Sequence, residues 1–333
     1  FDSTSITTVS FNGDSGSDSI QLTGTSGNEN ATLWVGAANL IGTGYHASAS
    51  SVEDVRIYSG GGVDNANFYD SSGDERFVAK DSESWLIGNS NFNYVQGFYQ
   101  SFAFATAGGN DTAYYYDSAT DDRFVARDID SWMIGSGIYN YSRGFDQTFA
   151  YALQGGNDTA TYYDSAGDDN YVTRDIDSWM VGSGFYNYSR GFDDTIAYAN
   201  QGGNDTATYH DSSGDDRLIF RSSNSWLVGS NHYSYLQGFD TTLAYANNGG
   251  SDTLTYYDSV ADDRFVGRAT DSWMVGPGFY NYANGFDQTL AYANNGGNDE
   301  AVYYDSANDD RFVARDTDSW MIGSGYYLSL IHI

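Results

Sequence analysis

Apolar and polar residues alternate over short runs of this chain, and turns of Gly, Asp, Asn and Ser separate the runs. In Asp158-Thr159-Ala160-Thr161-Tyr162-Tyr163-Asp164 the alternation sets Ala160 and Tyr162 on one face of a strand and Thr159, Thr161 and Tyr163 on the other. The counterparts Ala113/Tyr115, Leu254/Tyr256 and Ala301/Tyr303 keep that division, which marks the inner side. A second strand is predicted through 124–127, a third through 132–134 and a fourth through 195–199. β-Branched and aromatic residues dominate these runs, and Pro277 is the only proline. The pattern predicts an all-β fold.

The runs recur with a fixed period. Gly61-Gly62 returns as Gly108-Gly109, Gly155-Gly156, Gly202-Gly203, Gly249-Gly250 and Gly296-Gly297, each step being 47 residues. Trp85, Trp132, Trp179, Trp226, Trp273 and Trp320 keep the same interval. Residues 1–60 read as a divergent first copy offset by one residue, and 61–327 as tandem repeats with the last one truncated. Such self-similarity is the signature of an architecture in which each repeat buries its apolar face against its neighbours. Two architectures accommodate it. A parallel β-solenoid (right-handed β-helix) would divide each repeat into two coils of about 22 to 25 residues, and a seven-bladed β-propeller would make each repeat one blade. Short strands and Gly-Asp turns favour the solenoid. Residues 328–333 break the repeat and match a translated sequencing adapter, so they are read as non-native and excluded from fold reasoning.

Charge narrows the function. Fourteen Lys+Arg against 45 Asp+Glu give a net charge of −31, which argues against nucleic acid or an anionic membrane as partner and for solubility of a long array. There is no cysteine, hence no disulfide frame and no thiolate metal site. No membrane-spanning stretch is visible in the sequence.

The repeat Gly155-Gly156-Asn157-Asp158-Thr159-Ala160-Thr161-Tyr162-Tyr163-Asp164-Ser165-Ala166-Gly167-Asp168-Asp169 resembles repeats of very large secreted or surface proteins of environmental bacteria. The chain is also loosely similar to RTX-type calcium-binding repeats, through Gly13-Asp14-Ser15-Gly16-Ser17-Asp18-Ser19-Ile20-Gln21, although later repeats lack the middle glycine. The resemblance implies an extracellular or cell-surface repeat segment and, through RTX, calcium.

The residues raise the same question independently. Acidic positions recur at Asp158, at Asp164 and at the adjacent Asp168 and Asp169, and stacked acidic turns with nearby carbonyls suit a hard cation that takes six to eight oxygens. The candidate Ca2+ ligands are Asp18, Glu29, Asp111, Asp121, Asp122, Asp158, Asp168, Asp169, Asp205, Asp215, Asp216, Asp262, Asp263, Asp309 and Asp310. The competing reading is turn chemistry plus a solvated acidic face, partly neutralised by recurrent arginines such as Arg123 and Arg127.

Two further readings concern the aromatics. Tyr116, Tyr163, His210, Tyr257 and Tyr304, if they face outward, form a ladder on which a polysaccharide could stack; the alternative is that they support cross-strand pairs. The tryptophan column is assigned to the core, because six exposed rings would make a large apolar patch. Catalysis has the least support, since departures from the repeat such as His46, His210 and His232 do not cluster in sequence. The expected function is a non-catalytic extracellular structural or adhesive scaffold, with polysaccharide binding and a carbohydrate-active β-helix enzyme as alternatives.

Overall fold

The computed structural model describes residues 7–332. All regular structure there is β-strand, from Thr8–Asn12 to Tyr326–His332, so no helix is present to cross a membrane. Strands stack coil upon coil into a β-solenoid, and pairing runs on from coil to coil without closing into blades. The chain divides into two bodies, residues 7–160 with Gly184–Gly191, and Thr161–Ser183 with residues 192–332.

Each repeat contributes five strands to two facing sheets. In the C-terminal body, Thr206–His210 lies in one sheet, beside Asn170–Thr173 and Thr241–Tyr245 in parallel register. The chain then crosses to the facing sheet and makes an antiparallel meander of Arg217–Phe220, Asn224–Val228 and Tyr233–Gln237. It returns to the first sheet as Thr241–Tyr245, crosses again as Thr253–Tyr257, and lays its next meander, Arg264–Gly267, Asp271–Gly276 and Phe279–Asn284, on the first sheet. Consecutive meanders thus occupy opposite sheets. The N-terminal body follows the same plan, with Arg76–Ala79, Glu83–Ile87 and Phe92–Gln96 on one sheet and Arg123–Ala126, Asp130–Gly135 and Ile138–Arg143 on the other.

This topology refines the solenoid expected from sequence. Parallel neighbours such as Thr206 and Thr241, or Thr241 and Tyr280, lie 35 and 39 residues apart, which replaces the expected 22- to 25-residue coils. The strand missed in sequence is the last of the meander. In Ile138–Arg143 the polar Asn140 and Ser142 point inward while Tyr139 and Tyr141 point out, so the run does not read as amphipathic. Two inward polar groups are paired across the sandwich. Asn140 Nδ2 donates to the Lys80 carbonyl at 3.4 Å and Tyr115 Oη donates to the Ser131 carbonyl at 2.9 Å. Buried polar groups paired in this way carry little desolvation cost.

The predicted inner face is as expected. Ala113, Tyr115, Ala160, Tyr162, Leu254 and Tyr256 are fully buried, and the tyrosines pack on rings of the facing sheet, Tyr115 on Phe124 at 5.7 Å and Tyr256 on Phe265 at 5.6 Å. The tryptophans, by contrast, are not core. Trp85, Trp132, Trp179, Trp226, Trp273 and Trp320 are half-buried on the outer faces, while the adjacent Leu86, Met133, Met180, Leu227, Met274 and Met321 fill the interior. A cation covers each indole: Lys80 Nζ sits 5.0 Å above Trp85, and the guanidinium of Arg174 sits 4.6 Å above Trp179. That contact removes the bare apolar patch on which the core assignment rested.

The Gly-Gly turns are required by backbone approach. At Gly203, φ is +110° and an added Cβ would stand 2.2 Å from the Gly167 carbonyl oxygen of the preceding coil, so only glycine fits.

Candidate metal centre

The two chain crossings of each repeat bring acidic residues together at the corners of the solenoid. Asp211 directly follows Thr206–His210, Asp216 directly precedes Arg217–Phe220 on the facing sheet, and Asp252 precedes Thr253–Tyr257, which pairs with Arg217–Phe220 one rung on. One oxygen from each of Asp211, Asp216 and Asp252 lies within 4.8 Å of the others, and all three residues are buried. The same geometry unites Asp70, Glu75 and Asp111, then Asp164, Asp169 and Asp205, then Asp258, Asp263 and Asp299. Because meanders alternate between sheets, the cluster at 211/216/252 lies at the corner opposite to that at 258/263/299.

Local hydrogen bonds position these carboxylates and explain their burial. Asp216 Oδ2 accepts from the Ser212 amide at 2.9 Å and the Ser212 hydroxyl at 2.8 Å, while Asp252 Oδ1 accepts from the Asp216 amide at 2.9 Å and so staples one coil to the next. Gly276 admits the equivalent side chain, since a Cβ there would fall 1.8 Å from Asp263 Oδ1. The first carboxylate of each trio is held from the following coil. Asn248 and Asn295 donate through both backbone and side chain to Asp211 and Asp258. The longer Gln201 instead donates its amide N to Asp164 Oδ2 at 2.7 Å and its side chain to the Asp164 carbonyl. Asp164 Oδ1 is thereby left fully buried without a hydrogen-bond donor, as are Asp117 Oδ1, where Gln154 stands in the same place, and Asp263 Oδ1.

No arginine or lysine pairs with Asp164, Asp205, Asp211, Asp252, Asp258 or Asp263 among the described residues. Burial pushes the carboxyls of Asp205, Asp252 and Asp263 up, with neighbouring carboxylates adding to it. Asp205, facing Asp164, Asp169 and Asp240, is raised to about 6 although the Asp169 amide bond pulls the other way, and Asp111 and Asp252 are likewise raised to about 6. A proton held in the folded state to about pH 6 but released by the unfolded chain near pH 4 gives stability that is full below pH 4 and is lost as pH rises through 6. In chelator, the melting temperature of the protein should fall between pH 4 and 7, and Asp205→Asn should flatten part of that slope. Buried His232, whose imidazole is pushed down by burial, adds an opposite slope below about pH 6.5, so the comparison with Asp205→Asn isolates the carboxyl contribution.

Of the residues nominated from sequence, Asp111, Asp169, Asp205, Asp216 and Asp263 fall in these trios. Asp122 and Asp158 are bonded to one another in the equivalent place, the Asp122 amide donating to Asp158 Oδ1 at 2.7 Å beside buried Asp117. Glu29 and Asp64 repeat that bond at 2.7 Å, but Gly24 stands where the third carboxylate would be. Asp121, Asp168, Asp215 and Asp262 are exposed and point away; each accepts from an amide of the next coil, as Asp168 Oδ1 does from Asn204 at 2.8 Å. Asp18 is half-buried near Glu53, exposed Asp309 joins no trio, and Asp310 accepts from the Tyr326 hydroxyl at 2.6 Å. The trio members absent from the sequence nomination are Asp70, Glu75, Asp164, Asp211, Asp252, Asp258 and Asp299. The recurrence of the Asp158, Asp164 and Asp169 positions was the signal available for them.

The tyrosine ladder is outward-facing but is not one ladder. His210 and Tyr257 lie on opposite sheets, and each ring stacks on a ring of the neighbouring strand: Tyr116 on Tyr151 at 5.3 Å, Tyr163 on Tyr198 at 5.2 Å, His210 on Tyr245 at 5.6 Å, Tyr257 on Tyr292 at 5.2 Å. Tyr304 lies under Arg268 at 5.1 Å. Ring faces turned toward one another leave mainly edges for a ligand.

No protein family matches the chain, and no curated protein matches it.

Proposed function

We propose that this chain is a segment of a non-catalytic scaffold of a secreted or cell-surface protein, structural or adhesive, whose coil corners are clamped by calcium. The observation that carries this reading is the buried carboxylate trio recurring from repeat to repeat, with Asp164 Oδ1 and Asp263 Oδ1 lacking any donor. Two like charges 4.8 Å apart repel by about 3.5 kcal/mol at an effective dielectric constant of 20, so a bare trio opposes the fold that a cation would stabilise. Calcium suits an irregular set of carboxylates and backbone carbonyls better than magnesium, which demands a near-ideal octahedron. Repetition of one surface also favours distributed mechanical or adhesive work over a single catalytic centre.

Calorimetric titration of calcium into metal-free full chain tests this directly. At least one ion per trio should bind, Asp164→Asn should remove one ion, and Asp168→Asn should remove none. Absence of binding at millimolar calcium, or loss of the ion on Asp168→Asn instead, would overturn the assignment.

A further inference from the structure

Among the meanders whose tryptophan is covered by a cation, one departs from the others in charge. Residues 217–237 contain Arg217 and Arg221 but no Asp or Glu, whereas the meanders beginning at Arg76, Arg123, Asn170, Arg264 and Arg311 all carry acids. The decisive change is three residues after the cation that covers the tryptophan. Lys80 has Glu83 there at 3.2 Å, Arg268 has Asp271 at 4.0 Å and Arg315 has Asp318 at 3.9 Å, but Arg221 has Asn224. Its guanidinium forms no ion pair among the described residues.

Arg221 is nevertheless held in place. The guanidinium lies 5.1 Å from the Trp226 ring and 5.3 Å from the Tyr257 ring. Its backbone is bonded on both sides, the amide to the Asn224 carbonyl at 2.9 Å and the carbonyl to Asn281 Nδ2 at 3.1 Å. A planar cation packed on aromatic rings keeps its edge N–H groups for a bidentate acceptor, and the rotamer cost of binding has already been met by packing. Arg221 lines a groove of about 410 Å³ together with Ser222, Ser223, Asn224, Tyr257, Asp258, Asn294 and Asn295. Asp258 is buried and both of its oxygens already accept from Asn295, at 2.8 and 2.9 Å.

We infer that this groove binds a uronic-acid residue of an acidic polysaccharide, its carboxylate on the Arg221 fork and its hydroxyls on Ser222, Ser223 and the asparagine amides. The size is that of a small-ligand site. A lining of neutral hydroxyls and amides matches a polyhydroxylated ligand better than an acidic peptide, whose backbone and methylenes would leave those groups unpaired. The chain's −31 charge does not forbid it, because exposed charges beyond about 8 Å are screened at physiological salt. The inference deepens the adhesive side of the proposed scaffold and rests on it, but not on calcium.

Calorimetry or tryptophan fluorescence with the full chain and trigalacturonate, a probe too short to gel with calcium, tests it. Trigalacturonate should bind at one site per chain, weaken with salt, and bind at least tenfold more tightly than neutral xylotriose or triglutamate. Arg221→Gln and Asn224→Asp should each weaken it at least tenfold. Asn224→Asp introduces the acidic side chain that Asp130, Asp177, Asp271 and Asp318 already place at this position, so its melting curve should match the parent and separate lost binding from lost folding. Binding by both variants within twofold of the parent, equal binding of xylotriose or triglutamate, or no binding of trigalacturonate would overturn the inference. In each of those cases an intact calcium titration would leave the scaffold reading standing.

Discussion

Removing calcium from the parent protein should lower its melting temperature by on the order of 20 °C, and magnesium at the same concentration should restore little of the loss. A ligand that binds only the folded state at 100 times its dissociation constant adds about 2.7 kcal/mol, and four independent trios would add about 11 kcal/mol. For domains of this size each kcal/mol moves the transition by a few degrees. The metal-free protein also retains the repulsion of its buried carboxylates. Asp164→Asn should therefore act in two directions, raising the melting temperature in chelator while reducing the gain from calcium. A merely structural aspartate would lose stability under both conditions. A melting curve indifferent to chelator would end the calcium reading.

Tyr162→Ala should destabilise its coils by about 3 to 5 kcal/mol, the range for truncating a buried aromatic, whereas Tyr162→Phe should cost only about 1 kcal/mol. The ring is fully buried and lies 5.2 Å from Tyr171, and its hydroxyl donates to the Ser178 carbonyl at 2.9 Å. Phenylalanine keeps the packing and loses the bond. Because each coil contacts only neighbouring coils, the damage should be local, and hydrogen exchange should accelerate around residues 159–198 while remote coils such as 253–293 stay protected. Uniform loss of protection along the chain would contradict a solenoid whose stability is a sum over neighbours.

Period, strand class and the inner face of Thr159–Tyr163 were legible because apolar alternation and turn residues are local signals. Strand Ile138–Arg143 was not, because its inward side chains are Asn140 and Ser142, whose suitability depends on partners some sixty residues away, such as the Lys80 carbonyl. The tryptophan column misled for the converse reason: an indole roofed by arginine is stable outside, and no sequence window shows the roof. Among the acids, Asp168 and Asp169 are indistinguishable as neighbours in sequence. Strand direction separates them, sending Asp169 into the corner and Asp168 outward to the Asn204 amide. Asp164 became a member only when the crossing to the facing sheet folded it back over Asp169.

The alternation of meanders gives the array a parity. One repeat carries the next meander to the opposite side, so the meanders at Arg217–Phe220 and Arg264–Gly267 look in opposite directions although they hold the same place in the repeat. Recombination between repeats adds or removes them one at a time. An odd change would restore every local pairing yet swap left for right in everything downstream, whereas an even change would leave both sides as they were. A patch presented on one side recurs only after two repeats, five strands or roughly 24 Å further along. Selection acting on one side of such an array would see repeats gained and lost in pairs, and sequence divergence between odd and even copies would be its trace.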